Sequence, residues 1–231
     1  MKSRASALGS PPSPCGRRDG DEGEGDKRHT LFGDRISNKN KLNKNKTSAI
    51  TSEQAWAVLR QADCLYPAAV VETALDGMAA QITGVLHATN PLVVCVMTGG
   101  VVPFGKILPR LQFPFQIDYV HATRYGKRLA GGQLQWLAGP REDPKDRAVL
   151  LIDDILDEGA TLAGIEARYR AEGARAVYKA VLVVKKRPRT HDVKIDFAGL
   201  EVPDRYVFGY GMDYKGYLRN APGIYAEAEA K

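Results

Sequence analysis

Apolar residues follow two distinct patterns along this chain. Over residues 66–88, Val71, Leu75, Met78, Ile82 and Val85 recur every three or four positions, the period of an amphipathic helix. The short run PLVVCVM after it is apolar throughout and predicts a buried strand that breaks at Gly99-Gly100. A helix follows over 102–111. QIDYVHAT and QLQWLA alternate like strands on either side of the polar, Gly-containing loop 124–132, AVLLIDD is a third buried strand, a helix over about 162–172 ends at Gly173, and AVYKAVLVV is a fourth strand. Upstream, Thr51-Ser52-Glu53-Gln54 has the form of a capping box ahead of Ala55, Trp56 and Leu59, so order begins there. Strands alternating with helices imply an α/β fold with a mainly parallel sheet, whose ligands bind beyond the carboxyl ends of the strands.

Composition changes the picture mainly at the N-terminus. Residues 1–47 are rich in Gly, Pro, Ser, Asn and Lys, end in NKNKLNKNK, and read as a disordered basic tail ahead of one domain over 48–231. The net charge of +6 would suit a nucleic-acid partner. Its location argues otherwise: residues 1–47 hold 11 Lys/Arg against 6 Asp/Glu, a surplus of 5, and the remaining 22 against 21 leave a surplus of 1. A near-neutral domain lacks the basic face of a dedicated nucleic-acid binder. Lys39, Lys41, Lys44 and Lys46 read as a solvated linker. Cys15, Cys64 and Cys95 are too widely spaced for a metal cluster, and Cys95 lies in an apolar strand as a buried structural thiol. No run approaches a membrane span, and the acidic stretch between Asp19 and Asp26 argues against a transit peptide, so the expected location is cytoplasmic.

The segment VLLIDDILDEGATL carries the chemistry. An apolar strand delivers Asp153 and Asp154, and a small-residue loop with Asp157, Gly159, Ala160 and Thr161 then opens a helix. Backbone N–H groups at such a turn favour an anion, with Gly allowing close approach and Thr161 adding a hydroxyl donor. Three carboxylates within five residues would repel a phosphate unless they address sugar hydroxyls or a divalent cation. A phosphorylated sugar with Mg²⁺ meets both demands.

This segment resembles the phosphoribosyl-pyrophosphate loop of the type I phosphoribosyltransferases. VMTGG at 96–100 is similar to that family's pyrophosphate loop, HATRYGKRLAGG at 121–132 to its catalytic flap, LVVKKRPR at 182–189 to its purine-reading strand, and GLEVPDRYVFGYGMDYKGYLRN at 199–220 to the hood of the hypoxanthine-guanine branch. The resemblance implies a type I phosphoribosyltransferase fold, with a core over about 66–190 and a small hood over about 191–231 plus an N-terminal part. It implies transfer of a phosphoribosyl group from phosphoribosyl pyrophosphate to N9 of a 6-oxopurine, Mg²⁺ as cofactor, and a homodimer or homotetramer. By the same resemblance Asp153 and Asp154 address the ribose hydroxyls and the metal, Asp157, Glu158, Gly159, Ala160 and Thr161 line the 5′-phosphate pocket, and Asp157 is the general base toward the purine N7. Thr98 and Gly99 match the pyrophosphate loop, where a non-proline cis peptide is frequent. Arg124 and Tyr125 match the flap pair, Lys185 the donor to O6, Tyr206 the stacking aromatic, and Val207 a backbone contact. Asp213 is implied as a metal ligand and Arg219 as a partner of pyrophosphate.

The chain departs from the family at Thr98, where mammalian members have lysine, and at Glu158 and Ala160 in the phosphate loop. The rival reading is a non-catalytic phosphoribosyltransferase-fold regulator that binds nucleotide and RNA. The neutral domain and the presence of Asp157, Tyr125 and Arg219 favour the enzyme. Deleting residues 1–47 is expected to leave turnover within a few-fold of the full chain while weakening nonspecific RNA affinity. A truncated protein that folds without activity would contradict the reading of the tail.

Overall fold

The computed structural model describes residues 50–124, 134–189 and 191–228. Helix α1 (Ser52–Gln61) begins at the expected box: Gln54 N donates to Thr51 Oγ1 at 3.2 Å, and Thr51 N donates back to Gln54 Oε1 at 2.8 Å. Strand β1 (Asp63–Pro67) leads into α2 (Ala68–Leu86), which buries Val71, Leu75, Met78 and Ile82 as its periodicity predicts. Val85 does not join them; it is exposed, and Leu86 turns inward instead. Next come β2 (Leu92–Met97) and α3 (Val101–Ile107). The helix predicted to reach 111 tightens into a 3-10 turn at Leu108–Arg110, which has Pro109 in its first positions.

Strands β3 (Gln116–Arg124) and β4 (Leu134–Ala138) flank the polar loop, and β5 (Ala148–Leu156) runs two residues beyond the Asp153-Asp154 pair. Then follow α4 (Ala160–Ala171), β6 (Ala176–Lys186), β7 (Phe197–Pro203), β8 (Val207–Phe208) and β9 (Gly223–Ala226). The large sheet has the order β4-β3-β2-β5-β6-β7, parallel except for the antiparallel edge strand β4. The small antiparallel sheet has the order β1-β9-β8. β7 lies within the sequence assigned to the hood, yet it pairs with β6 in the large sheet, and the small sheet takes Asp63–Pro67 from the other end of the chain.

Alternation across the pleat divides the core between the two faces of the large sheet. Val93, Leu150, Ile152 and Leu182 pack with the α2 stripe and Ile107, whereas Leu92, Val94, Val149, Leu151 and Val181 pack with Leu162, Ile165 and Tyr169 of α4. Because β2, β5 and β6 are covered on both faces, they read as unbroken apolar runs. Each fully buried aliphatic side chain contributes about 1.5–3 kcal/mol. Asp118, one of the few buried polar residues, closes the β3 side: its carboxylate accepts from Tyr119 N at 2.7 Å, Arg141 N at 2.8 Å and Glu142 N at 3.1 Å.

One charged cluster joins α2, α3 and the segment after β8. Glu72 accepts from Lys106 Nζ at 2.7 Å, Arg110 Nη2 at 2.6 Å and Tyr210 Oη at 2.7 Å. Hydrogen bonds from Lys106 first, then from Tyr210 and Arg110, hold its carboxyl down at about 2. A depressed folded-state value means that this stabilisation is fully present above the ordinary carboxylate range and is lost as pH falls toward 2. Wild type is therefore expected to melt above Glu72→Gln at pH 6, with the gap closing as pH falls through 4.5 toward 2. A gap that stays constant over that range would show that Glu72 is not held in this way.

Candidate active site

The order of the large sheet places the site. From β2 the chain moves to β3 on one side, then crosses back to β5 on the other, so strand order reverses between β2 and β5 and a crevice opens at their carboxyl ends. β2 delivers Thr98, Gly99 and Gly100; β5 delivers Asp153, Asp154 and the loop into α4. Between them lies a cavity of about 240 Å³, whose wall includes Gly99, Asp153, Asp154, Asp157, Glu158, Gly159, Thr161 and Arg219.

The β2 end is shaped by close approach. The Met97–Thr98 peptide is cis. A Cβ on Gly99 would fall onto the Asp154 carboxylate, and one on Gly211 would fall onto the Gly99 carbonyl oxygen. The loop after β8 thus closes directly over the loop after β2, where Gly211 lets the two backbones meet, while Gly99 makes room for the Asp154 carboxylate. Gly99→Ala must displace a buried carboxylate, so it is expected to lower stability by about 1–3 kcal/mol and to disturb Asp154. Urea denaturation and kcat/KM read the two effects, and an alanine variant unchanged in both would contradict this packing.

Asp153 and Asp154 are buried side by side, and each Oδ1 accepts the N–H of the following residue at 2.9 Å. Burial pushes both carboxyls up, reinforced for Asp153 by the neighbouring charge and offset for Asp154 partly by Arg219. Two crowded carboxylates at the end of a strand suit a divalent cation. Among the described residues, however, no three His, Cys, Asp or Glu side chains are gathered to hold a metal. A Mg²⁺ here would need substrate oxygens and water to complete its shell, which is how Mg²⁺ is ordinarily bound.

The loop between β5 and α4 has the features of an anion cradle. Gly159 sits at φ +84, no side chain caps α4, and a Cβ on Gly159 would touch Val193 at 3.0 Å. Asp157, Glu158, Gly159 and Thr161 line the cavity; Ala160, the first residue of α4, does not.

The purine-reading residues predicted from β6 lie beside this cavity and meet it through Asp157. Lys185 Nζ donates to Asp157 Oδ2 at 3.4 Å and stands 3.9 Å from Asp204 Oδ1. Tyr206 is exposed, with its ring edge-on to Tyr214 at 5.2 Å. Val207 is buried in β8 and pairs with Ala226. Asp213 and Arg219 are joined to each other at 2.6 Å, and Arg219 Nη1 also donates to the Gly211 carbonyl at 2.5 Å. Thr98 is exposed beside the cavity rather than in its wall. Arg124 ends β3, but its side chain and all of Tyr125 lie outside the described residues.

The residue that sequence reading missed is Arg187. Its Nη1 donates to Asp157 Oδ1 at 2.8 Å, a shorter contact than that of Lys185. In LVVKKRPR nothing local separates it from its neighbouring cations, and only the fold shows which of them turn toward the Asp157 carboxylate. Cys95 is buried as expected, and desolvation raises its thiol to about 12. No helix of the described residues is long and apolar enough to cross a membrane.

Comparison with known proteins agrees with this geometry. The sequence profile of the phosphoribosyl transferase domain matches residues 62–215. The chain is 28% identical over 155 residues to a hypoxanthine-guanine phosphoribosyltransferase of Bacillus subtilis, covering 67% of this chain and 86% of that protein. It is 30% identical over 135 residues to one of Mycoplasma genitalium, covering 58% and 77%. In structure it is similar to a hypoxanthine phosphoribosyltransferase of Staphylococcus aureus, with a TM-score of 0.71 at 23% identity over 74% of this chain and 95% of that one. The profile spans the strands and loops that build the cavity, from β1 to the segment after β8, and the chain belongs to the phosphoribosyl transferase family, alongside the hypoxanthine-guanine phosphoribosyltransferases.

Proposed function

We propose that this protein is a hypoxanthine-guanine phosphoribosyltransferase of purine salvage, transferring the phosphoribosyl group of phosphoribosyl pyrophosphate to N9 of a 6-oxopurine. The observation that carries the choice of base is the pair Lys185–Asp157. An ammonium and a carboxylate stand 3.4 Å apart beside the sugar-phosphate cavity. A 6-oxopurine carries O6 and N7 next to each other on one edge. The ammonium, having only donors, meets O6, and the carboxylate accepts the proton of N7.

N9 forms its bond to C1′ as the bond from C1′ to pyrophosphate breaks, with that electron pair leaving on the pyrophosphate oxygen. The N7 proton passes to Asp157. Asp153 and Asp154 hold the ribose hydroxyls and stabilise positive charge developing on the sugar. The N–H groups around Gly159 and the Thr161 hydroxyl bind the 5′-phosphate. Gly99 lets pyrophosphate approach the backbone, and Arg219 exchanges Asp213 for it. Asp153 and Asp154 at the ribose and Asp213 at the pyrophosphate would hold Mg²⁺ together with substrate oxygens and water, and the metal would supply charge neutralisation for the leaving group. Tyr206 offers its exposed face to the base, and the Val207 backbone lies alongside. Arg124 and Tyr125, at the positions of the family's flap pair, are assigned the exclusion of water from the reaction. Thr98, Glu158 and Ala160 supply no cation, so among these residues neutralisation of the pyrophosphate falls to Arg219. We place the protein in the cytoplasm as a homodimer or homotetramer.

The test is nucleotide formation by purified protein with phosphoribosyl pyrophosphate, Mg²⁺ and hypoxanthine, guanine, xanthine or adenine in parallel. IMP from hypoxanthine is expected. Failure with every oxopurine, with nucleotide and RNA binding intact, would favour the regulatory reading.

A further inference from the structure

We propose that Arg187 is a positioning residue that fixes the catalytic carboxylate of Asp157, holding Oδ1 so that Oδ2 alone is presented to the purine. This inference rests on the functional reading above, since it concerns how the base of that reaction is aimed.

The geometry is one-sided. Arg187 Nη1 lies 2.8 Å from Asp157 Oδ1, while Lys185 Nζ lies 3.4 Å from Oδ2. The shorter, charge-assisted contact sets the rotation of the carboxylate and the longer one yields to substrate. Lys185 cannot do both tasks: once its ammonium turns to O6, its hold on Asp157 weakens at the moment the carboxylate must meet N7. Arg187 keeps its hold through that exchange.

The surroundings support an anchoring role. Asp157 is met from β6 by Lys185 and Arg187, and Arg189 Nε donates to its carbonyl oxygen at 3.2 Å. Asp204, just after β7, stands 3.7 Å from Arg187 Nη1 and 3.9 Å from Lys185 Nζ, and Glu158 is the next residue in the loop after Asp157. Among the described residues, Arg187 Nε is buried without a hydrogen-bond partner. Such an orphaned donor is costly, so the guanidinium is placed for the contact its Nη1 makes and not for its own satisfaction.

A double-mutant cycle tests the assignment. Arg187→Ala is expected to lower kcat by about 10- to 10²-fold, the scale of a misplaced catalytic group, with KM for phosphoribosyl pyrophosphate within about twofold of wild type. On the Asp157→Asn background the same change should cost almost nothing, because the amide that Arg187 would then hold cannot accept the N7 proton. Arg187→Lys should recover most of the loss. Additive losses, or an Arg187→Ala enzyme with wild-type kcat when chemistry limits turnover, would overturn the positioning role. If alanine prevents folding, Arg187→Gln carries the same cycle. Wild-type turnover separates the two claims: a wild type that forms no nucleotide overturns the functional reading itself, whereas an active wild type with an indifferent Arg187 overturns only this inference.

Discussion

Asp157→Asn is expected to lower kcat by about 10²–10⁴-fold, the usual contribution of a positioned general base. Asparagine has nearly the shape of aspartate, so the loop after β5 should keep its course and Gly159 its left-handed turn. What changes is the proton acceptor. The amide retains one oxygen for the two cations that now share the carboxylate, Arg187 at 2.8 Å and Lys185 at 3.4 Å, and it cannot accept the N7 proton. Binding of IMP should survive, because the phosphate contacts proposed above come from backbone N–H groups and Thr161. The measurement is single-turnover nucleotide formation beside an IMP titration. An unchanged rate with chemistry limiting would move the base elsewhere, while loss of IMP binding with loss of rate would make Asp157 a structural residue of the loop.

The sequence made the central sheet readable because β2, β5 and β6 are covered on both faces, and a run such as VLLID has no other simple meaning. It misjudged elements whose partners are remote. DCLYP is too short to show alternation, and its pairing with Gly223–Ala226 spans the length of the domain. FAGLEVP carries Gly199 in mid-strand, where a Cβ would strike the Leu182 carbonyl oxygen, so its place beside β6 follows from close packing that no local pattern reveals. The site divides in the same way. Asp153, Asp154 and the loop through Thr161 are contiguous on one strand and its exit, and they were legible as a unit. Arg187 was not: four cations in KKRPR look alike in sequence, and only the register of β6 against β5, which pairs Val184 with Leu156, brings two of them to the Asp157 carboxylate. The mutual pairing of Asp213 and Arg219 was likewise hidden, since each was assigned a ligand and neither was expected to serve as the other's counterion.

Lys185→Gln should narrow the preference for hypoxanthine over adenine, and this is the largest effect on specificity expected from any single side chain here. The Lys185 side chain is only 12% exposed and sits between Asp157 and Asp204, so its ammonium is held in place before any base arrives. A purine entering against Tyr206 finds an aromatic face whose orientation Tyr214 supports from the edge. Stacking there contributes about 1–3 kcal/mol and accepts any base. Discrimination therefore falls on the edge contact. O6 of hypoxanthine or guanine accepts from the ammonium, whereas the 6-amino group of adenine would leave Lys185 facing a donor in a closed site. Mismatches of that kind underlie rejections of about 10⁴–10⁵-fold. Glutamine can present either its oxygen or its amide nitrogen, so it should raise adenine use, lower hypoxanthine use, or both. Tyr206→Leu should instead raise KM for all accepted purines by similar factors, because it removes a face and leaves the edge intact. The decisive quantity is the ratio of kcat/KM for hypoxanthine and adenine in the two variants. A ratio unmoved by Lys185→Gln would mean that another residue reads the base, and a ratio moved by Tyr206→Leu would mean that the aromatic face does more than stack.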